Sequence, residues 1–324
     1  MDNIFSKSFL KRHFGEWYQN FRTKFSNEKY AIVFYYNLWK ILRNPETHYF
    51  VCPFGIGDTL YKACMVKAYK EKYGVKKICF IVKHNHVDLV GLFPSVDEIM
   101  DSSFLVRIMT YFSKKKRYFH VRNYHYGHML HDGRYPTPLM FLGVKNIDFL
   151  DIYKVSVMCL SVDSPVEMPK IPSEDDSTGI YEKYKNEKAL VMLMPYSASM
   201  PNLPDSFWEL IVDRLLQMGY KVLTNVKDDS ETVIKGTDGV VVSLKDFYIL
   251  SYKLNWKCIA TRSGICDLVG FLNNELWVIT QQEYYPWKMG EMDLPNKNIT
   301  DIVYYNDDTA EKNAESVINA FNAR

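Results

Sequence analysis

The sequence has no long apolar run, no cysteine framework and almost no net charge. No stretch approaches the roughly 20 apolar residues that cross a bilayer as a helix. The six cysteines, at 52, 64, 79, 159, 258 and 266, form no Cys-x-x-Cys pair. Most lie in apolar runs such as Ile78-Cys79-Phe80-Ile81-Val82 and read as buried thiols of a reducing compartment. Lys and Arg number 40 against 38 Asp and Glu, a formal net charge of +2, which argues against a dedicated nucleic-acid binder. Gly-x-x-x-x-Gly-Lys, His-Glu-x-x-His and a Ser-His-Asp order are all missing. Acid-rich triplets occur at 174–176, 227–229 and 306–308, but none has the Asp-x-Asp form of a metal-assisted nucleotide-sugar site. A secretory leader is not apparent either, because Ser6, Lys7 and Ser8 break the apolar stretch at 4–10. These absences set the expectation of a cytoplasmic protein with no metal or other cofactor and no nucleic-acid partner.

What is present is a globular composition of two-domain length: 324 residues, 47% of them hydrophobic. Residues 1–46 read as an N-terminal helical extension, with Phe5, Phe9, Phe14, Trp17, Phe21 and Phe25 near helical spacing among Lys7, Lys11, Arg12 and Arg22. Such a face fits packing on its own domain, or peripheral contact with an anionic inner-membrane surface. Strand and helix patterns then alternate through 47–160: a strand at 49–52, a glycine turn at 54–58, a helix at 59–73, a strand at 77–82, a helix at 87–93, a short strand at 96–100, a helix at 102–112 and a strand at 118–121. Residues 161–177, rich in Pro, Ser and acid and without a period, read as a linker. A second alternating unit fills 178–324, with an amphipathic helix at 205–218 that ends at Gly219 and a closing helix at 307–321 with Asp308 or Thr309 as its cap. Alternation of this kind predicts α/β architecture, with parallel sheets covered on both faces.

Ligands of open parallel sheets sit beyond the carboxyl ends of strands, at helix N-termini. Three turns qualify. Gly55-Ile56-Gly57-Asp58 lets backbone approach a ligand, and Asp58 fits either a helix cap or a cleft-facing base. It is not a dinucleotide fingerprint, since Leu60 stands at the third glycine. Tyr196-Ser197-Ala198-Ser199 offers hydroxyl and N–H donors to phosphate, or is a plain serine-rich turn. Thr261-Arg262-Ser263-Gly264 places a guanidinium at a helix start. It fits a diphosphate, or a local pair between Arg262 and Asp267. Four of the eight histidines, His120, His125, His128 and His131, cluster with Arg122. They read as a polar loop, an acceptor pocket or, without a carboxylate or Cys partner of a known site, poorly as a metal site.

Taken together, the three turns resemble the ADP-heptose:lipopolysaccharide heptosyltransferase family, of glycosyltransferase family 9 type. Gly55-Ile56-Gly57-Asp58-Thr59-Leu60 resembles its N-terminal Gly-Asp turn. Residues 194–199, followed by Leu203-Pro204-Asp205-Ser206-Phe207-Trp208, resemble its phosphate loop and the helix start after it. Arg262-Ser263-Gly264-Ile265-Cys266-Asp267-Leu268 resembles its Asp-Ser/Thr-Gly-x-x-His-Leu motif. The resemblance implies a GT-B fold of two Rossmann-like domains facing a cleft. It implies Asp58 as catalytic base and a nucleotide-diphosphate-sugar donor at Gly55, Gly57, Tyr196, Ser197, Thr261, Arg262, Ser263, Gly264 and Asp267. The acceptor, a cell-surface glycan or glycolipid of lipopolysaccharide or capsule, would approach His120, Arg122, His125 and His128. The chain departs from the pattern at three places. Pro201 stands at the family's lysine, and Arg262 and Asp267 stand at its Asp and His. A nucleotide-sugar epimerase or hydrolase, or a non-catalytic glycan-binding relative, is the competing expectation.

Overall fold

The computed structural model describes residues 46–52, 55–103, 106, 124–126, 149–171, 178–198, 200–228, 230–284, 289 and 294–324. The helices expected in 1–46 and the strand expected at 118–121 lie outside the described residues, as does most of the helix expected at 102–112.

The first half holds β1 (Thr47–Val51), β2 (Lys77–Val82), β3 (Glu98–Asp101) and β4 (Tyr124–Tyr126). They form one parallel sheet in the order β3-β2-β1-β4. The second half holds β5 (Leu190–Met194), β6 (Lys221–Asn225), β7 (Asp238–Val240), β8 (Lys257–Thr261), β9 (Leu276–Gln281) and β10 (Ile299–Tyr304). Its sheet is also parallel, in the order β7-β6-β5-β8-β9-β10. In each sheet the strand order reverses beside the half's first strand, between β1 and β4 and between β5 and β8. Each reversal opens a crevice at the carboxyl ends.

The helices are α1 (Ile56–Ala63), α2 (Val66–Tyr73), α3 (Val87–Val90), α4 (Phe149–Ile152), α5 (Ile180–Tyr184), α6 (Asp205–Gln217), α7 (Leu244–Leu254), α8 (Gly264–Val269) and α9 (Ala310–Asn322). A π turn, Tyr153–Val157, follows α4. Side chains alternate across a strand, and the second sheet uses this to feed two cores. Val191, Leu193, Ile259, Trp277 and Ile279 face one core, with Phe207, Trp208, Ile211, Val212 and Leu215 of α6 and Val317 and Phe321 of α9. Leu190, Met192, Met194, Cys258, Ala260, Leu276 and Val278 face the other. That second core runs on through α7 and α8 into Leu60, Tyr61, Leu89, Val90 and Phe93 of the first half. Phe93 meets Phe271 edge-on with ring centroids 6.4 Å apart. Each buried ring contributes roughly 1.5–3 kcal/mol, so apolar packing holds the two halves together at this point.

Two local expectations are corrected, and one strand goes beyond them. The helix expected at 59–73 begins at Ile56 and breaks at Cys64 and Met65 into α1 and α2. β10 was not anticipated, because an edge strand with one face half-exposed carries little apolar signal. Cys159, expected to be buried, is exposed in a left-handed turn, while the other five thiols are buried. Within the expected linker, residues 161–171 have no helix or strand. Glu167 and Lys170 tie this strap to the first half by donating backbone N–H bonds to Cys64 and Leu92 carbonyls, each at 2.7 Å.

Candidate active site between the two halves

α1 starts at the carboxyl end of β1. Gly55 is its N-cap, in extended backbone, and Asp58 is the third helical residue. Asp58 Oδ2 accepts the Gly55 N–H at 3.1 Å, so the carboxylate closes the helix end from inside the first turn. Asp58 was expected to cap the helix or to face the cleft as a base. In the structure it is a capping partner only 8% exposed. Its other oxygen accepts a short hydrogen bond from the Tyr153 hydroxyl, which places the π turn over the start of α1. Burial, then the Asp58 charge, push the Tyr153 phenol well above its ordinary pKa. Thr59 Oγ1 donates to the Gly55 carbonyl at 3.1 Å and lies 3.0 Å from Nδ1 of buried His86. Burial, then Lys83, lower the His86 pKa to about 4, so this imidazole is neutral near neutral pH.

The second half supplies the turns after β5 and β8, on either side of its strand-order reversal. Thr261 Oγ1 donates to the Pro195 carbonyl at 2.9 Å, and Ser197 Oγ donates to the Arg262 carbonyl at 3.0 Å. These bonds fasten the two turns to each other. Arg262 pairs with Asp267 at 2.7 Å, the local carboxylate weighed against a diphosphate above. Nη1 of Arg262 donates to the Ser263 carbonyl at 2.7 Å, while its buried Nε meets no acceptor among the described residues. Tyr61 of α1 crosses from the first half and donates to Asp267 Oδ1 at 2.5 Å. Burial raises the Asp267 pKa, against the pull of Arg262 and Tyr61. Burial also works against the Arg262 charge, but Asp267 and Tyr61 more than restore it and its pKa moves up.

The helix starts of α1 and α8 therefore meet. A Cβ on Gly57 would fall 2.2 Å from Asp267 Oδ2, and one on Gly264 would fall 2.8 Å from the Gly57 nitrogen. Only glycine allows this approach. The rings of Tyr61 and Tyr153 lie 5.4 Å apart, so a continuous buried cluster runs from Arg262 through Asp267, Tyr61 and Tyr153 to Asp58. Beside it, beyond the ends of β5 and β6, lies a crevice of about 380 Å³ lined in part by Tyr196, Ser197, Asn202, Asp205, Lys227 and Thr232. The Tyr196 hydroxyl donates a short bond to the Thr232 carbonyl across its wall.

The structure thus gathers Gly55, Gly57, Asp58, Ser197, Thr261, Arg262, Ser263, Gly264 and Asp267 around one meeting point, with Tyr196 in the crevice beside it. His125 occupies the middle of β4, in register with Phe50, while His120, Arg122 and His128 lie outside the described residues. Among the described residues, no three His, Cys, Asp or Glu side chains converge as a metal site would require, and no helix is long and apolar enough to cross a membrane. Sequence reasoning missed Tyr61, His86 and Tyr153. The rule that sites lie beyond strand ends could have found His86, just after β2. Nothing local marks the two tyrosines.

No family model matches the sequence, and no curated protein matches it. Solved folds do. An ADP-heptose lipopolysaccharide heptosyltransferase II from E. coli matches with a TM-score of 0.57 at 12% identity, over 86% of this chain and 99% of that one. A glycosyl transferase of family 9 from Veillonella parvula matches at 0.55 and 12%, over 87% and 92%. The E. coli heptosyltransferase WaaC, solved with ADP-2-deoxy-2-fluoro heptose, matches at 0.53 and 10%, over 86% and 99%. At such identities the likeness is one of fold: the chain has the architecture of the GT-B heptosyltransferases, two parallel-sheet α/β domains.

Proposed function

We propose that this chain is a glycosyltransferase that moves a sugar from a nucleotide-diphosphate-sugar to a hydroxyl of a glycan or glycolipid, without a metal, using Asp58 as general base. One observation carries the reading. Two strand-order reversals, one from each half, bring Gly55 to Asp58 and Thr261 to Gly264 face to face, with the crevice alongside. Ligands of such sheets bind at these reversals. The shared fold with heptosyltransferases, one of them solved with an ADP-sugar analogue, supports the donor class.

In this reading the nucleoside lies in the crevice against Tyr196 and Ser197. The diphosphate lies at Ser197 and the Ser263–Gly264 backbone, with Arg262 as its counter-charge. Gly57 packs against Gly264 too closely to admit phosphate between them, so the donor enters when the halves part and the turn carrying Asp58 returns over it. The acceptor hydroxyl then gives its proton to Asp58, and its oxygen bonds to the anomeric carbon. The bond from that carbon to the phosphate oxygen breaks, and the nucleoside diphosphate leaves with the electron pair. Arg262 and backbone N–H groups stabilise the charge on the leaving group. A carboxylate accepts about four hydrogen bonds, so a hydroxyl can join Gly55 and Tyr153 on Asp58. A cell-surface glycan acceptor, reached over His120, Arg122, His125 and His128, suits this family of folds, and the basic N-terminal region suits contact with an anionic membrane.

The test is Asp58→Asn, with turnover followed as release of nucleoside diphosphate from a panel of nucleotide-sugars. Loss of general-base catalysis lowers the rate by roughly 10²–10⁴-fold, and donor affinity stays intact. Retained turnover would remove Asp58 from the role. The pairing of Arg262 with Asp267 favours a second reading, a binding protein without catalysis. Tight donor binding by the unaltered chain, with no turnover on any donor and acceptor tried, would select it.

A further inference from the structure

The buried pair at the meeting of α1 and α8 is unusual in its charge. Arg262 and Asp267 stand where the resembled family has an Asp and a His, and both are withdrawn from water, with side-chain exposures of 15% and 4%. The Arg262 guanidinium is incompletely satisfied: Nη2 meets Asp267, Nη1 meets its neighbour's carbonyl, and Nε meets no acceptor among the described residues. Asp267 Oδ1 takes both the guanidinium at 2.7 Å and the Tyr61 hydroxyl at 2.5 Å. Its Oδ2 lies against Gly57, in the gap that a Cβ there would fill. To a guanidinium fork, a carboxylate and a phosphate present the same acceptor chemistry.

We propose that Asp267 is an internal anion that occupies Arg262 in place of a donor phosphate, and that a nucleoside diphosphate binds by displacing it. The proposal rests on the donor-site reading above and makes Asp267 the residue that sets donor affinity. It also couples binding to opening. The carboxylate that leaves Arg262 gives up its bond to Tyr61, which is a contact between the halves, so phosphate binding and release of that contact are one equilibrium. The opposite arrangement, in which Asp267 orients Arg262 to receive phosphate, has the opposite sign.

Isothermal titration of ADP, GDP, UDP and CDP, each beside its parent nucleoside, separates the two. The diphosphate that binds the unaltered protein is expected to bind Asp267→Asn roughly tenfold more tightly, as expected when a competing buried charge is removed, and Tyr61→Phe several-fold more tightly. Nucleoside affinity stays unchanged. Arg262→Gln weakens diphosphate binding and abolishes the gain from Asp267→Asn in the double variant. Equal or weaker diphosphate binding by Asp267→Asn overturns the inference and leaves the donor-site reading standing. Failure of all four diphosphates on every variant overturns both. Tyr61→Phe keeps the ring and removes only the hydroxyl, so it decides the matter by itself if Asp267→Asn does not fold; unchanged or weaker binding there overturns the inference too.

Discussion

Asp58 is held by the Gly55 nitrogen and the Tyr153 hydroxyl, and Thr59 ties the Gly55 carbonyl of the same turn to the His86 ring. His86 gives this support a pH dependence. Its pKa is about 4 in the fold against 6.5 in an open chain, because burial penalises the charged ring. Between those values the unfolded chain binds the extra proton, so stability rises with pH through this window. The contribution is fully present above pH 6.5 and disappears as pH falls towards 4. It amounts to about 3.5 kcal/mol at most, at about 1.4 kcal/mol per pKa unit. Denaturant unfolding of His86→Gln from pH 4 to pH 7 is expected to show a flatter slope than the parent. An unchanged slope would place the protonation elsewhere.

The elements that make the site are short, and their placement depends on glycine. The start of α8 touches the start of α1 at Gly264, where an added Cβ would press on the Gly57 nitrogen and on Ile56 Cβ, both at 2.8 Å. Backbone cannot swing aside as a side-chain end can. Gly264→Ala is therefore expected to lower stability by roughly 1–3 kcal/mol and to increase the radius of gyration in small-angle scattering as the halves are wedged apart. An unaltered melting temperature and scattering profile would contradict this contact. Longer elements were readable in advance. α6 carries Phe207, Trp208, Ile211, Val212 and Leu215 on one stripe, and α9 begins where Thr309 caps the Lys312 nitrogen at 3.3 Å. α1 was misread because Gly55 and Gly57 look like a turn, whereas only Gly55 lies outside the helix.

At the scale of the whole molecule, alternation of strands and helices was enough to expect two parallel sheets, because each unit is a local pattern. The closure of one half on the other was not legible. Its carriers are pairs far apart in sequence, Tyr61 with Asp267 across 206 positions and Tyr153 with Asp58 across 95. The departures at Arg262 and Asp267 were visible as an inverted charge pattern, but whether the two side chains pair with each other or with a ligand depends on tertiary placement. The fold brings the strand-order reversal of each half to one place, and that convergence underlies the proposed donor site. A crystal structure of the protein with the nucleoside diphosphate it binds best tests this most directly. The account predicts the diphosphate against Ser197 and the Ser263–Gly264 backbone, with Arg262 turned from Asp267 to phosphate and the nucleoside in the crevice beyond β5 and β6. A nucleotide bound elsewhere, with the Arg262–Asp267 pair intact, would contradict it.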